Sequence, residues 1–386
     1  MGDDASGNEV WWWENPYPDY SSDWTRRLIK NSGGDKHHDQ MFGDFDDDGK
    51  TELVFWNQED KKLILAEIPS DPRNSGTWNL RTIYSWTSPS HEGLAQADID
   101  NDGVIDIVGG GRWFKLESGG DFTANVIASG METTRAAAGQ LVKGGRPEVV
   151  FVPGETSGPL IWYEWDGSSW KGTQLAANVD HGHSLQIEDI DKDGNLDIFA
   201  AEMRVNSNNP DAKMWVFFGD GNGNFTTTEI ASGYGNHESR VADLDGDGDI
   251  DVLGKPYNWD TPRVDIWLSN LNGASCEPSL DEWQRHVIDG GRPERAIFVL
   301  PGDLNGDGLA DVVSGAWWYQ NPGSPSGSWQ RRTIGSPLNN VAAVYDFDND
   351  GDLDIVGTEG VGSAGNDHCV SARNNGSGNF SVLSNI

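Results

Sequence analysis

The phrase Asp44-Phe-Asp46-Asp-Asp48-Gly49-Lys-Thr-Glu52 sets acidic side chains at positions 1, 3, 5 and 9 of a short loop. Side chains at the first three of these positions converge on a point, glycine permits the bend, and the ninth residue closes the cage. Hard oxygen ligands in this number suit Ca2+, whereas Mg2+ takes fewer protein ligands and keeps more water. The spacing returns at Asp98, Asp100, Asp102 and Asp106, at Asp189, Asp191, Asp193 and Asp197, and at Asp243, Asp245, Asp247 and Asp251. It returns again at Asp303, Asn305, Asp307 and Asp311, and at Asp346, Asp348, Asp350 and Asp354. These loops predict about six structural calcium sites. A seventh copy, Gln140-Leu-Val-Lys-Gly144-Gly145-Arg-Pro-Glu148, keeps the turn glycine and the apolar run Val149-Val150-Phe151 but lacks the three leading carboxylates.

A second pattern lies upstream of these loops. His38, His183 and His237 each stand six residues before the first residue of their acidic loop, and His37, His91 and His181 fall close by. Charged residues accompany them: Asp39, Glu92, Arg135, Glu238, Arg292, Glu294 and Arg295. Imidazole, carboxylate, guanidinium and phenol groups gathered in one place can move protons on a polar ligand. A histidine at a fixed repeat position can also serve only to hydrogen-bond the neighbouring repeat, and the sequence leaves both roles open.

The elements that must position these groups are short strands. Each acidic loop is flanked by apolar stretches, such as Gln40-Met-Phe-Gly before and Leu53-Val-Phe-Trp after, which read as two strands joined by the turn. A third apolar stretch follows, and a fourth comes after a recurrent aromatic: Trp78, Phe122, Trp170, Phe225, Trp283 or Trp329. A repeat of about 50 residues with four strands predicts an all-β fold, a seven-bladed β-propeller of four-stranded blades. An extra pair, Val10–Trp13 and Trp24–Ile29, leaves an eight-bladed alternative open. We expect residues 1–9 to be disordered and residues 10–386 to form a single propeller domain.

In such a blade the loop leading into the first strand shares a face with the loop between the second and third. Function is therefore expected on the face away from the acidic turns, near the axis. Catalytic candidates are His38, His91, His181, His183, His237, Arg135, Tyr257 and Lys255. Candidates for substrate binding are Arg295, Arg112, Trp56, Trp113, Trp259, Glu92 and Glu238. His38, His183 and His237 could instead hold one Zn2+, Mn2+ or Fe2+ ion, since neutral imidazoles suit these metals.

Composition narrows the partners. The chain has 386 residues with 27 Lys and Arg against 62 Asp and Glu, a formal charge of −35. Such a surface repels nucleic-acid phosphates and anionic lipid. No apolar run approaches the roughly 18 residues of a spanning helix, so no membrane insertion is expected. Eighteen tryptophans and 36% hydrophobic residues supply a core. Cys276 and Cys369 lack metal-ligand spacing, and in this reading they fall two blades apart, which disfavours a bridge. We expect a monomer or weak oligomer, secreted or periplasmic, whose signal peptide has been removed.

The phrases Ala97-Asp-Ile-Asp-Asn-Asp-Gly and Ala242-Asp-Leu-Asp-Gly-Asp-Gly resemble the FG-GAP/VCBS repeats of integrin α-subunits, fungal lectins and many secreted carbohydrate-active proteins. The resemblance implies the propeller fold and calcium, and a saccharide ligand or substrate. A narrower one covers Thr134–Pro153, which is similar to the metal-free blade in the propeller domain of aldos-2-ulose dehydratase. The favoured expectation is a carbohydrate-active enzyme, a polysaccharide or oligosaccharide lyase acting by β-elimination at a uronate. A lectin or adhesion propeller, a sugar dehydratase and a glycoside hydrolase remain as alternatives. The hydrolase would need two carboxylates about 5–10 Å apart, for which Glu92 and Glu238 are the candidates.

Overall fold

A computed structural model describes residues 7–16, 18, 24–205, 208–237, 239–257, 263–271, 283–291, 296, 298–324, 327–360 and 368–384. Among them the regular structure is all β: seven four-stranded antiparallel sheets like propeller blades, and one two-stranded sheet. The small sheet pairs Val10–Glu14 with Thr25–Lys30, the extra pair seen in the sequence. The seven sheets take strands in chain order, beginning at His37, Ala95, Thr134, Ser184, Arg240, Leu300 and Asn340. No helix among the described residues is long and apolar enough to cross a membrane.

Each acidic loop joins the first strand of a sheet to the second. In the first sheet, His37–Gly43 runs into the loop and Glu52–Asn57 runs out, with Gly43 opposite Glu52. The second strands of the first six sheets are buried along their whole length, as in Glu52–Asn57, Glu148–Pro153 and Asp197–Ala201, and that of the seventh, Asp354–Thr358, is mostly buried. They read as unbroken apolar runs because both of their faces are covered. Outer strands differ: Gln330–Thr333 is exposed throughout.

The chain divides into two compact units. In the first, mainly residues 26–187, one core cluster packs Phe45, Val54, Trp56 and Leu65 of the first sheet against Ile107 and Phe114 of the second. Another joins Val108 and Trp113 of the second sheet to Val149, Phe151 and Tyr163 of the third. The second unit, mainly residues 188–218 and 226–386, has its own clusters. Phe199 and Val216 pack against Val252 and Trp267, Leu253 and Ile266 against Val312 and Tyr319, and Val313 and Trp318 against Val341 and Ile355. Each fully buried aliphatic or aromatic side chain contributes about 1.5–3 kcal/mol.

Candidate functional site

Two kinds of site emerge, at opposite ends of the first strands. The first is the set of acidic loops. Their second residues Phe45, Ile99, Ile190, Leu244 and Leu304 plug the core, which turns positions 1, 3 and 5 toward one another outside it. The sixth residue is always a glycine with positive φ, from 79° at Gly49 to 101° at Gly248. Its N–H donates to the position 1 carboxylate in every loop, for example Gly103 to Asp98 at 2.8 Å and Gly308 to Asp303 at 2.8 Å. The ninth residue accepts from the N–H of position 2, as in Phe45 to Glu52 at 2.9 Å and Leu244 to Asp251 at 2.7 Å.

Ligand atoms of Asp44, Asp46, Asp48 and Glu52 lie within 4.8 Å of one another. The same holds for Asp98, Asp100 and Asp106, for Asp189, Asp191 and Asp197, for Asp243, Asp245 and Asp251, and for Asp346, Asp348 and Asp354. Oδ1 atoms of Asp44, Asp46, Asp100, Asp189 and Asp348 are buried without a hydrogen-bond partner. Burial first, and then like charge, push the ninth residues up: Glu52 and Asp106 to about 7, Asp251 to about 8, and Asp311 and Asp354 to about 6. Clustered, desolvated carboxylates with idle oxygens are chemically suited to a hard divalent cation, and the donor set is consistent with Ca2+.

The second site lies in the first unit, where first strands begin. Asp39 is the extra residue of a β-bulge between His38 and Gln40, with φ of 43°. The bulge re-aims its carboxylate. Asp39 Oδ2 meets His38 Nδ1 at 2.9 Å and accepts from the Gly93 N–H at 2.8 Å, while Oδ1 takes Arg135 Nη1 at 2.8 Å. Arg135 Nη2 is 3.0 Å from the His183 ring nitrogens, and His183 Nε2 is 2.9 Å from Glu155 Oε1. The result is a chain of hydrogen-bonded polar groups, His38–Asp39–Arg135–His183–Glu155, in which Arg135 and Asp39 form the ion pair. Burial tends to raise the Asp39 pKa, but Arg135 and then His38 hold it well below the usual carboxylate range. For His38 burial works downward, and the Asp39 hydrogen bond and charge outweigh it, leaving the imidazole above its ordinary value. The His183 hydrogen bond lowers Glu155 to about 2.

Glu155, absent from the sequence candidates, occupies the loop between second and third strands, the kind of loop that supplied Arg112 and Lys255 as candidates. In the corresponding loop of the first sheet, the Gln58 amide donates to Glu92 Oε1 at 3.1 Å. Gly93 has φ of 74°, and a Cβ there would lie 2.2 Å from the Thr134 carbonyl, so only glycine fits.

Other candidates stand elsewhere. Trp56 is fully buried and donates from Nε1 to the Gly93 carbonyl at 3.1 Å, and Trp113 is only 5% exposed. Both are core residues rather than ligand-facing ones, because they sit where second and third strands pack between sheets. His91, 2% exposed, stacks on Trp86 with centroids 4.4 Å apart, and burial lowers its pKa to about 4. That cage, with Trp56 and Tyr84 also around it, makes it a packing residue rather than a base. His181 pairs with Asp180 at 2.6 Å, apart from that hydrogen-bonded chain. Arg112 bonds the Gly110 carbonyl and lies over the Tyr84 ring.

In the second unit, His237 stacks on Tyr257 at 4.7 Å, and Lys255 is buried with Nζ on the Pro256 carbonyl. Glu238, Trp259, Arg292, Glu294, Arg295 and Cys276 lie outside the described residues, as do residues 1–6 of the N-terminal segment. Cys369 is buried. Among the described residues, no cluster of three or more metal-binding side chains includes a histidine.

Comparison with known proteins agrees with the loop geometry. The family described as FG-GAP-like repeat matches residues 44–109, 189–254 and 303–357. The chain carries FG-GAP-like repeats. Among solved structures, it is similar to a protein of unknown function from Dyadobacter fermentans at 15% identity, covering 76% of this chain and 93% of that one, with a TM-score of 0.40. It is also similar to BBS1N, solved in complex with ARL6DN, at 12% identity, covering 83% and 88%, with a TM-score of 0.44. No curated protein matches the chain.

The FG-GAP-like matches include all six acidic loops and leave out the third sheet. There Gln140 stands at loop position 1, and its Nε2 donates to the carbonyls of Val142 at 2.5 Å and Gly144 at 2.8 Å. An amide N–H2 thus ties positions 3 and 5 together, and Glu148 still accepts the Val142 N–H at 2.9 Å. This loop closes on itself without a cation. No dehydratase resemblance emerges for this segment from the comparisons.

Proposed function

We propose that the protein is a secreted or periplasmic carbohydrate-active enzyme, a lyase that cleaves uronate-containing poly- or oligosaccharides by β-elimination, with its acidic loops holding Ca2+ as structural ions. The observation that carries the catalytic reading is the His38–Asp39 pair. Asp39 fixes Nδ1, and Nε2 of His38 makes no hydrogen bond among the described residues. An imidazole oriented on one side by a carboxylate and open on the other is the arrangement of a general base.

β-Elimination at a uronate removes the proton α to the carboxylate and expels the glycosidic oxygen from the β carbon. His38 Nε2 would take the carbon proton. Arg135, anchored between Asp39 and His183, supplies the positive charge that attracts the uronate carboxylate and steadies the charge developing on it. The proton taken by His38 would pass from its imidazolium to the leaving oxygen, which restores the neutral base, while His183, held by Glu155, keeps Arg135 in place. In this reading the calcium loops stabilise the strands that carry these groups and take no part in proton transfer.

A second reading has a specific observation behind it. Asp39, Arg135, His183 and Glu155 are already paired with one another, and such internal satisfaction also suits a lectin that binds saccharide without cleaving it. Incubation with uronate polysaccharides, read as ultraviolet absorbance of an unsaturated product, separates the two. Product formed by the wild type and lost in His38→Ala supports the lyase. Binding with no product, across alginate, pectate and glycosaminoglycan substrates, would favour the lectin.

A further inference from the structure

The acidic loops differ in one respect that their shared motif hides: the residue on the third strand that faces loop position 9. In the first sheet this residue is Glu67, registered directly against Glu52. In the second sheet it is Lys115, one step beyond the registered pair Ile107 and Phe114. In the seventh it is Arg373, one step beyond Ile355 and Ala372. In the fourth, fifth and sixth sheets the equivalent residues are Phe218, Leu268 and Gln320, by the same register.

The two cations reach into their loops. Lys115 Nζ lies 2.6 Å from Asp100 Oδ2 and also pairs with Asp102, the residues at positions 3 and 5, and its side chain is only 24% exposed. Arg373 pairs with Asp348 through Nε and lies 3.7 Å from Asp350 through Nη2, again positions 3 and 5. Lys50 of the first loop contacts Asp48 alone and is 66% exposed, so solvent screens it.

We propose that the loops are not equivalent calcium sites: those at Asp98 and Asp346 are weakened by a resident side-chain cation, Lys115 or Arg373, and the loop at Asp44 is strengthened by Glu67. The inference rests on the calcium reading of the loops. A fixed positive charge among the ligands repels the incoming ion and occupies carboxylate oxygens that the ion needs, and an added carboxylate does the reverse. Loops that carry their own cation stay closed when calcium is scarce, much as the Gln140 loop does with its amide. The chain would then fill its calcium sites in steps.

Isothermal titration of the chelator-stripped full chain with calcium chloride, at fixed ionic strength, tests this. The wild type should show tight and weak classes of site. Lys115→Met and Arg373→Met, which keep the apolar stems, should each tighten one weak site by at least about tenfold. Glu67→Gln should weaken one tight site, and Lys50→Met should change nothing. A single class of sites in the wild type, or affinities unmoved by the Lys115 and Arg373 substitutions, would overturn the inference. No calcium uptake at all would overturn the calcium reading itself, and this proposal with it.

Discussion

His38 and Asp39 are adjacent in sequence yet face each other side chain to side chain, Nδ1 to Oδ2 at 2.9 Å. Neighbours on a regular strand point to opposite faces, so the contact requires the β-bulge at Asp39 and its left-handed backbone. The same carboxylate holds Arg135 and the Gly93 amide. One residue therefore orients the imidazole, anchors the guanidinium and ties two sheets together.

Asp39→Asn should lower turnover by at least about a hundredfold, within the range that general acid–base groups contribute. It should also move the pH profile. His38 in the wild type titrates above its ordinary 6.5, so activity needing the neutral imidazole rises with pH in a window above that value. Without the Asp39 charge that rise should shift to lower pH. An unchanged profile in the variant would deny Asp39 its orienting role.

Arg135→Ala should destabilise the fold by about 1–3 kcal/mol, more than an exposed ion pair, because it leaves the part-buried Asp39 uncompensated. Denaturant unfolding at pH 7 measures this. The Glu155 contribution has the opposite pH sense to that of His38. With its pKa lowered from 4.5 to about 2, Glu155 adds stability above pH 4.5 that is lost as pH falls toward 2.

Removing calcium should reverse the ordinary pH trend of the acidic loops. In the ion-free chain Glu52 and Asp106 are raised to about 7 and Asp251 to about 8. The folded state then binds protons that the unfolded state has released, so stability is greatest near pH 4 and falls as pH rises through 6–8. The melting temperature of chelated protein should therefore drop from pH 5.5 to pH 8. Calcium should raise it most at the higher pH, where it replaces the missing protons. Equal melting temperatures with and without calcium at pH 8 would contradict this.

Gly93→Ala should cost about 2–4 kcal/mol, since the backbone is left-handed and the new Cβ would strike the Thr134 carbonyl. Gln140→Ala should cost less, about 0.5–1.5 kcal/mol, because the carbonyls it releases lie near solvent. Its loss should be independent of calcium. Thermal melts of both variants with and without chelator would check the magnitudes and that independence.

The blade pattern could be read before the structure because its causes are local. Acidic spacing, glycine at the sixth position and apolar runs on either side mark the turn and its two strands without reference to distant residues. The histidine cluster was only half visible. His38, Arg135 and His183 stood out by their place before the acidic loops, whereas Glu155 lacked a repeat motif to flag it. Trp56 and Trp113 misled for a related reason. They follow runs that alternate poorly, and only the packing of one sheet on the next makes them core. His91 stands one residue further from its acidic loop than His38 does from its own, at the offset of His37, and the Trp86 and Tyr84 rings enclose it. Repeat position thus identified which residues come to one end of the sheets, and packing decided which of them keep a polar face.

The catalytic role of His38 is tested most directly by measuring saccharide binding and cleavage together on the wild type and on His38→Gln, with the same uronate oligosaccharide. The wild type should bind it and release an unsaturated product, and the variant should still bind it but release none. A variant that cleaves as fast as the wild type would contradict the role given to His38, and a wild type that binds without ever cleaving would contradict the lyase.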